Sequence, residues 1–412
     1  MHAKIELNMN FIKSFHVYAA VFFFYANIPI YLVLVGYSST PPSFWIGLFA
    51  AVILLSLTSK LFARDQVSEI TCSKPLLYWA FFFIMINLVS FFFSDPSEIV
   101  IKTLERRILS AFVILLFFTA LEDDGGLQRK VRWVLLLAVL IAIADNIYDF
   151  MNPSLFVPLD NEFANPGRAA GFYLNANQAG AALVLGMILT IELLPKKIRT
   201  LYLYIVLIGI LLTFSRTALI GWILVTLILL FQNVLNKKQF IAGIAIATFI
   251  ILLILNQLTE IDLIDKLSEG INLPNITERI DWISNPLTTE DASLDERRVV
   301  FKRAWEMFLN HPLIGNGIGS TLTWNEEIST HNTYLYFMAD YGVIGLFILP
   351  LLLLASIWRA SGEARQTALP FLAFVTLFGF FSHNIVEEYY FLISFAIMAS
   401  MSARSRISNK GV

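Results

Sequence analysis

The chain has 412 residues, 57% hydrophobic and only 15% charged, against about 45–50% apolar and about 25% charged in soluble domains. That balance, with a mean hydropathy of +0.70, makes lipid the expected solvent and one membrane bundle the expected organisation, in place of the two or three soluble domains the length alone would suggest. A net charge of -2 with no extended basic run gives no nucleic-acid partner, and a single cysteine, Cys72, excludes a disulfide framework and a cysteine-based metal site.

Crossing the hydrocarbon core takes roughly 20 mostly apolar residues. Windows of that kind fall at 13–36, 43–63, 75–94, 99–121, 133–151, 177–194, 200–214, 217–235, 239–256, 333–357, 367–383 and 385–403. Residues 1–35 show no small-residue cleavage site behind a short apolar core, so the first window is expected to be a retained helix. The predicted fold class is an all-α polytopic membrane protein of about twelve spans. Residues 1–256 would carry spans one to nine, residues 257–332 a polar loop, and residues 333–412 the last three spans and a tail. The loop holds Glu260, Asp262, Asp265, Asp281 and Asp291.

Basic residues set the orientation, because cytoplasmic loops are enriched in Lys and Arg. With the N-terminus cytoplasmic, the alternate loops hold 18 of the 29 basic residues, among them Lys60, Arg129, Lys130, Lys196, Lys197, Lys237, Lys238 and Arg359. The opposite short loops around Tyr37, Asp95 and His383 hold none. Both termini are therefore expected in the cytoplasm of a bacterial inner-membrane protein, with the 257–332 loop periplasmic. The basic residues that break the rule need a reason, since a charge within a span costs several kcal/mol and is usually paired or functional. Lys102, Arg106 and Arg107 lie inside the fourth window, Arg168 before the sixth, and Arg216 in the tight turn between the seventh and eighth.

Five constellations follow in chain order. Arg168-Ala-Ala-Gly-Phe-Tyr-Leu-Asn175-Ala-Asn177 is a glycine- and asparagine-bearing approach to the sixth span, with Asn177 a suitable N-cap. It either presents Arg168 to an anion or is an ordinary loop at the headgroups. Ser215-Arg216-Thr217 is a polar cluster between two apolar runs; Arg216 either faces a cavity suited to phosphate oxygens or snorkels to the interface. Glu296-Arg297-Arg298 opens an amphipathic stretch running through Lys302, Arg303 and Trp305, expected as a short helix on the outer leaflet. Its guanidinium groups grip phosphate bidentately or simply meet lipid headgroups. His311-Pro-Leu-Ile-Gly315-Asn-Gly317-Ile-Gly319 either turns the chain or lets backbone N–H groups approach a phosphate. His331-Asn332-Thr-Tyr334 opens the tenth span, and His383 marks the outer end of the eleventh. Histidine is the usual base near neutral pH, and a histidine at a helix start is also a common surface or capping residue. No metal-ligand spacing is present, so neither metal nor other cofactor is expected.

In this order the motifs resemble the O-antigen ligase and polymerase family of bacterial envelope proteins, over roughly residues 160–350. The most specific pair is the glycine-rich turn after His311 and the His331-Asn332 helix start, followed by Tyr341-Gly-Val-Ile-Gly345. The resemblance implies a GT-C-like, metal-independent, inverting glycosyltransferase working on undecaprenyl-pyrophosphate-linked glycans at the periplasmic face. A ligase moves the finished chain to the lipid A core oligosaccharide; a polymerase moves it to another lipid-linked repeat. It implies that Arg168, Arg216 and Arg297 or Arg298 hold the pyrophosphate and that His331 is catalytic, with His311, Asn332, Tyr334 and His383 on the acceptor side. Membrane lipids are the remaining partner. A transporter of lipid-linked sugars is the competing reading, and would show internal repeats with interrupted helices in both halves.

Overall fold

The computed structural model describes residues 2–62, 74–122, 125–157, 168–258, 292–324 and 329–410. They are helical throughout, with no strand among them. Every one of the twelve apolar windows falls on a helix or a broken helix: α1 (His2–Tyr25), α2 (Ile28–Leu34), α3 (Pro42–Phe62), α4 (Lys74–Phe92), α5 (Glu98–Glu122), α6 (Gly125–Met151), α7 (Pro153–Phe156), α8 (Ala176–Thr190), α9 (Lys196–Thr213), α10 (Arg216–Phe231), α11 (Lys237–Leu258), α12 (Ala292–Asn310), α13 (Thr333–Tyr341), α14 (Ile348–Ile357), α15 (Gly362–Gly379) and α16 (Tyr389–Lys410). By length and composition, four stretches among the described residues are apolar enough to cross a membrane. They are Lys74–Phe92, Gly126–Met151, Ala176–Leu193 and Thr333–Ile357. The bent pair α1–α2 makes a fifth, broken by 51° where Asn27 takes a left-handed φ of 59° and Pro29 starts the next helix. The acidic residues of 259–291, and residues 325–328, lie outside the described segments, as does the stretch of 158–167 that leads to Arg168.

The chain divides into two compact units, one of residues 1–138 with 292–412 and the other of residues 139–291. In the first, α5 packs along α16 and α4, and α12 lies on α13. Its interior is aromatic: Trp79 stacks on Phe83 at 5.0 Å, Phe83 meets Phe337 edge-on at 6.1 Å, and Phe371 meets Phe395 at 5.6 Å. The Trp79 indole N–H reaches the Ile348 carbonyl at 2.9 Å, which removes the cost of burying that donor. Thr333 to Ile357 is not one straight helix. Gly342 takes φ +65°, and a side chain at Gly345 would run into the Phe337 carbonyl, so a 3-10 turn at Gly342–Phe347 joins α13 to α14.

In the second unit α8 is buried on all sides from Ala179 to Thr190. A helix apolar all round belongs in a core, and small residues let its neighbours close in. A Cβ on Gly180 would come within 2.6 Å of the Ala218 Cβ on α10, and one on Gly209 of α9 within 2.9 Å of Leu183. The amphipathic helix expected after Glu296 is α12. Val300 and Ala304 are buried, while Arg298, Phe301, Lys302, Arg303 and Trp305 are exposed.

Candidate functional site

In the second unit the segment after Arg168 is pinned by two carboxylates one turn apart on α6. The N–H groups of Ala170 and Gly171 donate to Asp149 Oδ2 at 2.8 and 2.9 Å, and that of Phe172 donates to Asp145 Oδ2 at 3.0 Å. Ala169 N–H donates to the Leu212 carbonyl at 3.0 Å. Gly171 is required here: its φ is +51°, and a Cβ would run into the Asp145 carboxylate. Anchored this way, Arg168 is half-buried. Its Nε donates to the Thr213 carbonyl at 3.1 Å and an Nη to Asn177 Oδ1 at 3.0 Å. Asn177 Oδ1 also accepts from Ser215 Oγ at 2.9 Å.

Ser215 in turn caps α10, its Oγ accepting from Ala218 N–H, so that Arg216 occupies the helix's first position. Phe214, at φ 49°, makes the tight turn that joins α9 to α10. Arg168 is thereby fastened to the turn that carries Arg216. The first N–H groups of a helix and its positive dipole end favour anions, and two guanidinium groups add fixed charge suited to phosphate. One expectation is corrected. Asn175, not Asn177, caps α8, its side chain accepting from the N–H groups of Asn177 and Gln178. Asn175 has the extended backbone a cap needs, φ -125° and ψ 117°, which leaves Asn177 free to bridge Arg168 and Ser215.

In the first unit His331 sits just ahead of α13 with φ 47°, half-buried. The next residue, Asn332, caps α13 by accepting from Leu335 N–H at 3.0 Å. The connection between α15 and α16 brings His383 to it. The two imidazole rings lie 5.9 Å apart, edge to face at 89°, and Thr333 Oγ1 donates to the Ser382 carbonyl at 2.5 Å. Burial, and then the charge of Arg297, push the His331 imidazole down to about 4. Burial, then His331 and Arg106, push His383 down to about 3. Both rings are therefore neutral at physiological pH, as a general base must be. Of the two arginines on α12, Arg297 acts on His331, whereas Arg298 points to the exposed side.

The other residues expected on an acceptor side are placed differently. The Tyr334 hydroxyl donates to the Thr376 carbonyl at 3.2 Å, and Asn332 is spent on the cap. His311 is exposed at the end of α12. The glycine-rich turn after it is a piece of architecture, and its N–H groups are not open to a phosphate. Gly315 N–H goes to the His311 carbonyl, Asn316 N–H to Ala339 and Gly317 N–H to Asp340, at 2.9, 2.9 and 3.1 Å. Ile318 N–H goes to Ser94 Oγ at 3.2 Å and Gly319 N–H to Asp340 Oδ2 at 3.2 Å. Gly315, Gly317 and Gly319 all have φ between +73° and +97°, so only glycine lets the turn lie flat on the end of α13.

Residues 201–350 match the family model described as O-Antigen ligase. Over those residues the chain is similar to the O-antigen ligase family. That match supports an O-antigen ligase/polymerase-type membrane enzyme, and no curated protein matches the chain. The matched residues take in Arg216, Arg297, His331 and the glycine-rich turn, while Arg168 and His383 lie outside them. Outside them too is a residue whose role sequence reasoning missed. Arg107, fully buried on α5, pairs with Asp340 at 2.7 Å. It also donates to the Tyr341 hydroxyl and lies 4.9–5.2 Å from the rings of Tyr336, Phe337 and Tyr341. Asp340 accepts from Ser320 Oγ at 2.8 Å as well, so one buried ion pair locks the glycine-rich turn to the helix that His331 precedes. A charge inside an apolar window was its one visible signal; the same holds for Asp145 and Asp149. Among the described residues, no group of three or more His, Cys, Asp or Glu is placed to hold a metal.

Proposed function

We propose that the protein is a membrane glycosyltransferase of the ligase branch. It would move O-antigen polysaccharide from undecaprenyl pyrophosphate to the lipid A core oligosaccharide, with inversion and without a metal, on the periplasmic face of the inner membrane. The observation that carries this reading is a neutral, half-buried His331 with the Arg297 guanidinium acting on it, within a domain matched as O-Antigen ligase. In this reading His331 takes the proton of the acceptor hydroxyl as its oxygen attacks the anomeric carbon. The bond from that carbon to the pyrophosphate oxygen breaks, and the electron pair leaves with the pyrophosphate. By the family resemblance, Arg168, Arg216 and Arg297 are the residues assigned to that anion, guanidinium groups supplying the positive charge that a divalent ion otherwise provides. Arg298, exposed on α12, is assigned to lipid headgroups instead.

Direct displacement fits a site with a base and fixed cations. The test is the lipopolysaccharide of a deletion strain complemented with the wild-type or His331→Ala chain. Complementation of a ligase deletion restores the full ladder, and His331→Ala, present at wild-type level, restores none of it. A deletion strain that still carries a single repeat on its core would assign the chain to the polymerase branch. An unchanged ladder in the deletion strain would refute both.

A further inference from the structure

His331 takes a left-handed backbone, φ 47°, which residues with a side chain adopt at a steric cost and which a fold keeps only where its surroundings impose it. Its neighbours in the chain are bonded to each other across it. Thr330 Oγ1 donates to the Asn332 carbonyl at 3.4 Å, and Asn332 is fixed in turn as the cap of α13. His383 stands in a turn built in the same manner, with Ser382 Oγ donating across it to Asn384 Oδ1 at 3.2 Å. One bond joins the two turns. The hydroxyl of Thr333, a fully buried residue, donates to the Ser382 carbonyl at 2.5 Å. Thr333 stands two residues after His331 and Ser382 immediately before His383, so this bond ties together the short segments that carry both rings. Three residues further along α13, on the same helix face, Tyr336 sets its ring against His383 at 5.8 Å.

We propose that Thr333 is a positioning residue for His331, its hydroxyl holding the connection between α15 and α16 against the left-handed turn and so fixing where the His331 imidazole stands. The hydroxyl takes no proton in the reaction and acts only through the geometry of the ring. A base works only within hydrogen-bond reach of the proton it removes, and a displacement of about 1 Å can cost about a hundredfold in rate. A hydrogen bond inside the fold is electrostatically stronger than one in water, which suits a tie that must hold a strained backbone. The same closure keeps His331 half-buried, and burial together with Arg297 from α12 holds the ring at about 4; His383 is the titratable ring that faces it from the connection. The inference rests on the glycosyltransferase reading, in which His331 is the base, and deepens it by naming the residue that sets that base in place.

The test uses the full chain in detergent, with Thr333→Val, which keeps the branched shape and removes the hydroxyl, and Thr333→Ser, which keeps the hydroxyl and removes a methyl. Transfer is measured against donor concentration, acceptor concentration and pH. Thr333→Val should lower kcat by about tenfold to a hundredfold while both KM values stay within about threefold of wild type. Its acid limb should move up from about 4, because loosening the closure wets His331 and relieves the burial that disfavours the charged ring. Thr333→Ser should return kcat to within about threefold of wild type. A kcat for Thr333→Val within about twofold of wild type overturns the proposal, as does a loss confined to KM or an acid limb that stays in place. Thr333→Ser as impaired as Thr333→Val overturns it too, since packing of the methyl would then be what matters. Should Thr333→Val not accumulate, Thr333→Ala is read by the same criteria. If the wild-type chain transfers nothing, the glycosyltransferase reading fails by itself. NMR titration of the chain carrying isotope-labelled histidine then decides the inference, with His331 identified by the signal lost in His331→Gln. A His331 titration raised in Thr333→Val and restored in Thr333→Ser supports it, and an unmoved one overturns it.

Discussion

Replacing Arg107 by methionine would leave the carboxylate of Asp340 buried without its countercharge. Both side chains are fully buried and lie 2.7 Å apart, and Asp340 keeps only Ser320 Oγ at 2.8 Å and Gly319 N–H at 3.2 Å. Breaking a buried pair by removing one partner costs about 3–5 kcal/mol, because the remaining charge is uncompensated. Removing both charges in Arg107→Met/Asp340→Leu should cost less than either single change, since no charge is stranded, even though the glycine-rich turn loses its anchor. The assay is denaturant or thermal unfolding of the purified chain in detergent across this double-mutant cycle. The expected coupling is at least about 2 kcal/mol, the range measured for residues in one buried network. Single variants that each lose under about 1 kcal/mol, with effects that simply add, would refute the brace and return Arg107 to an ordinary buried cation.

Four further outcomes are expected. Because burial and Arg297 push His331 down to about 4, its basic form persists well below neutrality. The transfer rate should stay flat from pH 8 to about 5 and fall only towards 4, and Arg297→Gln should move that acid limb upward; a wild-type limb at or above 6.5 excludes His331 as the base. The same depressed value ties folding to pH: between about 6.5 and 4 the unfolded chain binds the proton and the folded one does not, so stability should be full above that window and decline as the pH falls through it. Gly171→Ala would force a side chain into the left-handed backbone at φ +51° and against Asp145, costing about 1–2 kcal/mol in backbone strain alone. It should displace Arg168 and depress transfer with little change at His331, which pH profiles of the residual activity would register. Treatment with EDTA should leave the transfer rate of the purified enzyme unchanged; a loss restored by magnesium or manganese would show that the arginines do not neutralise the pyrophosphate unaided.

The helices were legible because lipid-scale apolar windows are long, and each of the twelve marks a helix in the structure. The capping residue was missed because Asn175 and Asn177 have the same side chain and stand two residues apart. What separates them is backbone conformation, extended at Asn175, and composition does not carry that. The glycine-rich turn admitted two readings for a similar reason. Three glycines permit a phosphate cradle and a tight turn alike, and the choice falls to the carbonyls of Ala339 and Asp340 that take their N–H groups. Those carbonyls lie more than twenty residues further along the chain. His331 was legible as a base candidate, yet its neutral state depends on burial and on Arg297, neither of which its local motif contains.

The misplaced cations show the same division most clearly. One rule, that basic residues avoid the outer side and the spans, singled out Lys102, Arg106, Arg107, Arg168, Arg216 and the α12 pair on equal terms. The structure separates them by partner. Lys102 meets Glu98 at 2.5 Å one helical turn away, both exposed, a pair worth little. Arg106 meets Glu387 from a largely exposed position. Arg107 is fully buried and pairs with Asp340, 233 residues away. Arg168 reaches a backbone carbonyl at the α9–α10 turn and an asparagine oxygen. The buried ion pair makes Arg107 part of the scaffold, while Arg168 is the cation proposed for the donor, though a charge in an apolar context flagged both.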